Sequence, residues 1–226
     1  MSRSSLPNFH PSELMLLDYA AGSLHEAAAL LVATHISLCP ACRAEVGRLE
    51  SVGGALLDAI EPVADPAGLE AVLSRLDEIP AEFAPGRADD EPFDDETRRV
   101  MPAALRRRIG ANLDRINWKT LGRVSQVDVP VAVERPGVSA RLLRLKAWQK
   151  VPHHTHGGTE LTLVLTGGFS DQTGHYLRGD VAVADRGITH APVTDADGDC
   201  ICLAVVDGSI KLTGPIGRVV GLFLRT

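Results

Sequence analysis

Residues 153–169, HHTHGGTELTLVLTGGF, decide how the second half of the chain is read. Side chains on a strand alternate between faces with a period of two, so His154 and His156 point the same way. Glu160 follows four residues on, and the apolar run LTLVLT ends at Gly167. A later stretch, GDVAVADRGITH, opens at Gly179 and closes at His190. Together His154, His156, Glu160 and His190 form a three-histidine, one-carboxylate set that suits zinc, iron, manganese, nickel or copper. The competing reading is an interior without metal, in which the same groups are satisfied by hydrogen bonds. His153 should face the opposite side of its strand, and His175 reads as an exposed turn residue.

Outward from this stretch the period of two persists. DVAVAD, CICLAVV and VVGLFLRT alternate or run apolar between GG, RGD and DADGD turns, and many short strands at close spacing predict a small barrel or sandwich. Cys200 and Cys202 share one strand face. They read as core packing or as an oxidisable pair beside a metal, and they are poorly placed for an unstrained disulfide with each other.

Upstream, residues 80–101 are rich in Pro and charge and poor in periodic apolar residues, which predicts a linker, with a helix following over AALRRRIGANLDRI. Residues from about Pro11 to Ile79 predict four short helices. The first carries Leu14, Leu17 and Ala21 and exits at Gly22. The second starts at a capping box of Ser23 and Glu26. The third follows Pro40, with Cys42, Val46, Leu49 and Leu56 on one face and a weak point at Gly53-Gly54. The fourth starts at Asp65-Pro66 and carries Leu69, Val72, Leu73 and Leu76.

Where the second helix meets the third, HISLCPAC sets His35, Cys39 and Cys42 in H-x3-C-x2-C spacing. Four residues make about one helical turn, so three soft or borderline ligands gather near one point. A closed structural zinc site takes four N or S ligands, and His10, just before the first helix, is the natural fourth. His25 is a weaker rival because it sits at the far end of the second helix from His35. Ordinary buried cysteines, or a redox dithiol, are the other readings, and the dithiol would need a βαβ context that is missing here.

The bulk numbers bound the classes. A chain of 226 residues with 45% hydrophobic content is comfortable for two globular domains. No basic-then-apolar leader and no run of about 18 apolar residues occurs, so a cytoplasmic protein without a membrane span is expected. Four cysteines are too few for a disulfide scaffold. Up to residue 90 the chain carries five basic and 14 acidic side chains, a net of −9, against +3 for the remainder. An acidic helical half repels phosphate backbones and attracts a basic protein surface, so no direct nucleic-acid partner is expected.

His10, then YAAGSL, then ATHISLCPAC resemble the zinc-binding anti-sigma family, specifically its ChrR-like branch, over roughly residues 8 to 60. HTHGGTELTLVLTG and GDVAVADRGITH resemble the two cupin motifs, and that branch carries a cupin after its zinc module. The resemblance implies an α-then-β protein: a zinc-binding helical bundle over 1–85, a linker over 86–101 and a cupin β-barrel sensor over 102–226. It implies structural zinc on His10, His35, Cys39 and Cys42, and zinc or another divalent transition metal on His154, His156, Glu160 and His190. The implied function is transcription regulation without catalysis: sequestering an extracytoplasmic-function sigma factor and releasing it under singlet-oxygen or peroxide stress. The alternatives are a dioxygenase-like cupin metalloenzyme with a zinc docking module and, behind it, a DNA-binding zinc-finger regulator, for which the second and third helices offer only Arg43 and Arg48.

Overall fold

Helix α2 (Glu26–Leu38) organises the molecule, because its two apolar faces are buried in different places. The computed structural model of the protein describes residues 6–62, 66–76, 93–133 and 135–212. Of the side chains in these ranges, those of residues 66, 67, 156 and 210–212 lie outside the described set. One face of α2 packs Val32, with Cys39 just past its end, against Leu16 of α1 (Glu13–Ala20) and Val46 of α3 (Pro40–Asp58). The other face carries Ala27, Ala28, Leu30 and Leu31 into a second core shared with the β half.

That β half contains twelve antiparallel strands among the described residues. Six form one sheet: β1 (Lys119–Leu121), β2 (Val124–Asp128), β3 (Val138–Leu145), β11 (Cys200–Asp207), β5 (Thr159–Thr166) and β8 (Val181–Ala184), in that order. Leu142, Leu161, Leu163, Leu165, Ile201, Leu203 and Val205 point from it toward α2. The alternate residues, among them Leu143, Leu145, Glu160, Thr162, Cys200 and Cys202, line a cavity on the opposite face. Burial on both faces explains why LTLVL and CICLAVV read as nearly continuous apolar runs. Two three-stranded sheets cover the cavity: β10 (Val193–Thr194), β6 (Gly168–Asp171) and β7 (Gly174–Leu177), and β12 (Ile210–Leu212), β4 (His154–His156) and β9 (Thr189–His190). The expected barrel is therefore a cupin-like fold whose strands do not close: the six-stranded sheet ends at β1 and β8, with no pairing between them.

Several local expectations differ from what forms. The start of α2 is capped by His25, whose Nδ1 accepts the amide of Ala28 at 3.2 Å. Ser23 instead donates back to the Asp18 carbonyl, and Glu26 reaches the Val133 amide and Arg108, so the expected capping box is absent. The described part of the expected linker is structured: Asp94 caps α5 (Asp95–Val100), and Val100 and Met101 are buried in the shared core. The next helix, α6 (Ala103–Ile109), stops earlier than the sequence suggests, at left-handed Gly110. Helix α3 continues through Gly53-Gly54, and α4 (Pro66–Arg75) forms where expected.

The apolar stripes of the helical half are not all core. Leu14, Leu17, Val52, Leu56, Leu57, Ile60, Leu69, Val72, Leu73 and Leu76 are exposed. Amphipathic spacing shows that such a face seeks a cover, and the cover here is not in the chain's described residues. No single described helix is long and apolar enough to cross a membrane; α2 and α3 pass such a test only as a pair, bent by 119°.

Candidate metal centres

The first cluster is built at the bend between α2 and α3. Cys39 leaves α2 in an extended conformation and serves as N-cap of α3, its Sγ 3.5 Å from the amide of Cys42, with Pro40 filling the first helical position. His35 is one turn back on α2, and His10 arrives from the segment before α1. The four ligand atoms lie within 4.8 Å of one another. His10 Nδ1 sits 3.5 Å from Cys39 Sγ and 3.4 Å from Cys42 Sγ. These separations match the about 3.5 Å expected between N and S on a tetrahedral zinc with ordinary Zn–N and Zn–S bonds.

His35 adds an independent sign. Its Nδ1 donates to the carbonyl of Gly179 at 2.8 Å, leaving Nε2 as the bare nitrogen. That Nε2 is buried with no hydrogen-bond partner among the described residues. Burial above all pushes the His35 pKa down, keeping the ring neutral, which is the form that ligates. Burial, then the hydrogen bond with Cys39, pushes the Cys42 thiol up to about 12, so metal entry must displace protons. The donor set fits zinc, and the Nδ1 of His25 is engaged as a helix cap.

The second cluster sits in the cavity, whose volume is ≈ 180 Å³ and whose lining is mostly apolar. His154, Glu160 and His190 are all buried and gathered, with ligand atoms within 4.8 Å. Strand pairing does this: His154 is opposite His190 across β4 and β9, and Glu160 projects from β5. His156 lies on β4, but its side chain is outside the described residues. His154 Nδ1 donates to the Pro152 carbonyl at 2.9 Å and His190 Nδ1 to Asp171 Oδ2 at 2.8 Å. Both Nε2 atoms then face each other at 3.0 Å with a Glu160 carboxylate oxygen close by, an arrangement that a cation would stabilise. Burial also lowers the His154 pKa, which disfavours a proton as that cation. A divalent transition metal fits, with the outer nitrogens anchored as metal-bound histidines usually are.

Asp171 is the residue that sequence reasoning missed. In FSDQTG it reads as an ordinary turn former, and its Oδ1 does accept the amides of Thr173 and Gly174. Its other oxygen holds His190, and the only advance signal is the general need of a ligating imidazole for a second partner. Cys200 and Cys202 are buried, with Sγ atoms 3.4 Å apart, in a cluster with Val164, Phe169 and Tyr176. Their mutual hydrogen bond, followed by burial, pushes the Cys202 thiol well above its ordinary value, which suits packing rather than nucleophilic reactivity.

Residues 106–209 match the model of the ChrR cupin-like domain family. Over 218 residues, 96% of this chain and 97% of the relative, the sequence is 41% identical to the anti-sigma-E factor ChrR of Cereibacter sphaeroides. The fold is similar to ChrR in the crystal structure of Rhodobacter sphaeroides SigE in complex with the anti-sigma ChrR. That match has a TM-score of 0.73 at 40% identity and covers 88% of this chain and 99% of that one.

Proposed function

The chain belongs to the ChrR family of anti-sigma factors, and from that premise we propose that it captures an extracytoplasmic-function sigma factor in the cytoplasm and releases it under oxidative stress. The observation that carries the capture half is the uncovered apolar face of α1, the distal part of α3 and α4, ending in Leu69, Val72, Leu73 and Leu76. It belongs to an acidic half with a net charge of −9, complementary to the basic surfaces that a sigma factor presents to DNA. Capture is a binding event, and the chain acts as a regulator rather than as an enzyme.

Residues 1–85 are assigned to capture, 86–101 to the connection and 102–226 to sensing. His10, His35, Cys39 and Cys42 would hold a structural zinc that fixes the bend between α2 and α3. His154, His156, Glu160 and His190 would hold a second metal, zinc or another divalent transition ion, which when bound supplies an electrophilic centre within the apolar cavity. The chain's own residues anchor two of the imidazoles through Asp171 and Pro152 and keep water scarce around them through Leu143, Leu145, Phe169 and Ala182. A cavity of that size and polarity admits dioxygen species or a small peroxide, which motivates the oxidative signal.

The test is transcription in vitro by core polymerase with the sigma factor encoded beside this gene, with the full-length zinc-loaded protein and with a fragment ending near residue 85. Dose-dependent inhibition by the full-length protein supports the capture reading, and inhibition by the fragment assigns it to the helical half. No inhibition by either, together with substrate-dependent oxygen uptake, would turn the reading to a cupin metalloenzyme.

A further inference from the structure

Residues 6–9 precede α1 and belong to no helix or strand, yet the segment is clamped to the β half. Asp180, 1% exposed, accepts the amides of Asn8 at 2.6 Å and Phe9 at 3.0 Å on Oδ1 and the amide of Leu177 at 2.8 Å on Oδ2. The carbonyl of Phe9 accepts the Val181 amide at 3.0 Å. Gly179 permits this approach: it sits at φ +92°, and a Cβ there would come within 2.6 Å of Pro7 Cγ. The next residue along the strap is His10, the exposed member of the first cluster. His35, its second histidine, is held by the Gly179 carbonyl. Both histidines of the helical cluster are thus positioned by residues 177–181.

The β6–β7 hairpin, which runs into that segment at Leu177, holds the second cluster. The Phe9 ring packs against Tyr176 with centroids 4.5 Å apart and planes tilted by 48°. The Tyr176 hydroxyl donates to Thr173 Oγ1 at 2.9 Å, Thr173 Oγ1 donates to Asp171 Oδ1 at 2.5 Å, and Asp171 Oδ2 accepts from His190. From one histidine to the other the sequence of contacts is His190, Asp171, Thr173, Tyr176, Phe9, His10, each within bonding or packing distance of the next.

We propose that Asp171, Thr173, Tyr176 and the Asp180-clamped strap are positioning residues that couple the two clusters, so that filling either one tightens the hold of the other on its metal. Metal in the cavity fixes His190, hence Asp171 and the hairpin, and the ordered hairpin holds Phe9 and delivers His10. An empty cavity loosens this support, and His10 must be ordered without it. Linkage makes the effect reciprocal, the same factor in both directions. The proposal rests on reading both clusters as metal sites and does not depend on which protein the helices capture.

The experiment uses full-length protein with cobalt(II) in the helical cluster, where thiolate-to-cobalt charge-transfer absorption reports Cys39 and Cys42 and not the histidine-carboxylate site. Removal by EDTA is timed in the wild type with both clusters filled and in Glu160→Ala, which weakens the cavity site. The expected result is removal about tenfold faster in Glu160→Ala, within the usual range of coupling between sites. Tyr176→Phe, which deletes only the hydroxyl contact, and Phe9→Leu, which keeps an apolar side chain, should bind two metals per chain yet give fast removal with the cavity filled. Equal removal rates in the wild type and Glu160→Ala, or slow removal retained in both relay variants, overturn the coupling. Absence of any thiolate band overturns the metal reading beneath it, and with it the coupling.

Discussion

The Nδ1 of His35, near the end of the second helix, donates a hydrogen bond to the carbonyl of Gly179, 144 residues further along the chain. The contact fixes which nitrogen of His35 is left for a metal, and it does so from the other half of the molecule.

Replacing Cys39 or Cys42 by Ser should therefore cost more than a ligand. One metal equivalent should be lost, and the bend that joins α2 to α3 with it. Structural zinc of this type contributes on the order of 10 kcal/mol. At ~2–4 °C per kcal/mol for a chain of this size, the melting temperature should fall by about 20 °C or more. Metal analysis and a thermal melt check this; an unchanged melt at half the metal content would refute a structural role.

Glu160→Ala should leave sigma capture by the resting protein within about threefold of the wild type, since the apolar face that captures lies on other elements. It should abolish or blunt release by peroxide. A pull-down with and without oxidant separates the two effects, and a variant that still lets go on oxidation would remove Glu160 from sensing.

Leu73 is 49% exposed on α4 and supports no described core. Leu73→Asp should weaken sigma capture by tenfold or more while moving the melting temperature by less than about 2 °C. Calorimetric titration against the sigma factor measures the first quantity. Undiminished affinity would show that α4 is not part of the captured face.

Glu26 ties α2 to the β2–β3 connection and to α6. Its carboxyl is held below its ordinary value of 4.5, first by the Val133 amide, then by the Ala132 amide, with Arg108 adding to them. A carboxyl whose pKa is lower folded than unfolded contributes stability that is complete above about 4.5 and is lost as the pH falls through the folded value. Melting temperature should therefore decline below about pH 4.5 in the wild type, and Glu26→Gln should be less stable at neutral pH with a shallower decline. Parallel melting curves for the two proteins across that range would count against this tie.

That His35, Cys39 and Cys42, and His154 and Glu160, gather in space was legible in the sequence because their spacing is local: H-x3-C-x2-C straddles one helix break, and His154 and Glu160 lie on the successive strands β4 and β5. His10 and His190 were reachable from motif logic. Asp171 and Asp180 were not, since each sits in an ordinary turn and acquires its role from partners 19 and 172 residues away. The helical half shows the same limit. Spacing marked Leu56, Leu69 and Leu73 as apolar-face residues, yet spacing cannot say whether the cover comes from the same chain. Ala27, Ala28, Leu30 and Leu31 likewise look like the interior of a small bundle, whereas the face they form is buried on a sheet that begins some 90 residues later.

That shared face bears on how the molecule melts. With Leu31 and Leu105 in one continuous interior with Leu142, Leu163 and Leu203, there is no dry boundary along which the helices and the strands can part without opening both. Heating should produce one cooperative transition, with calorimetric and van't Hoff enthalpies in agreement, in place of two separate ones. Damage at one end of such a molecule is registered as lost stability at the other.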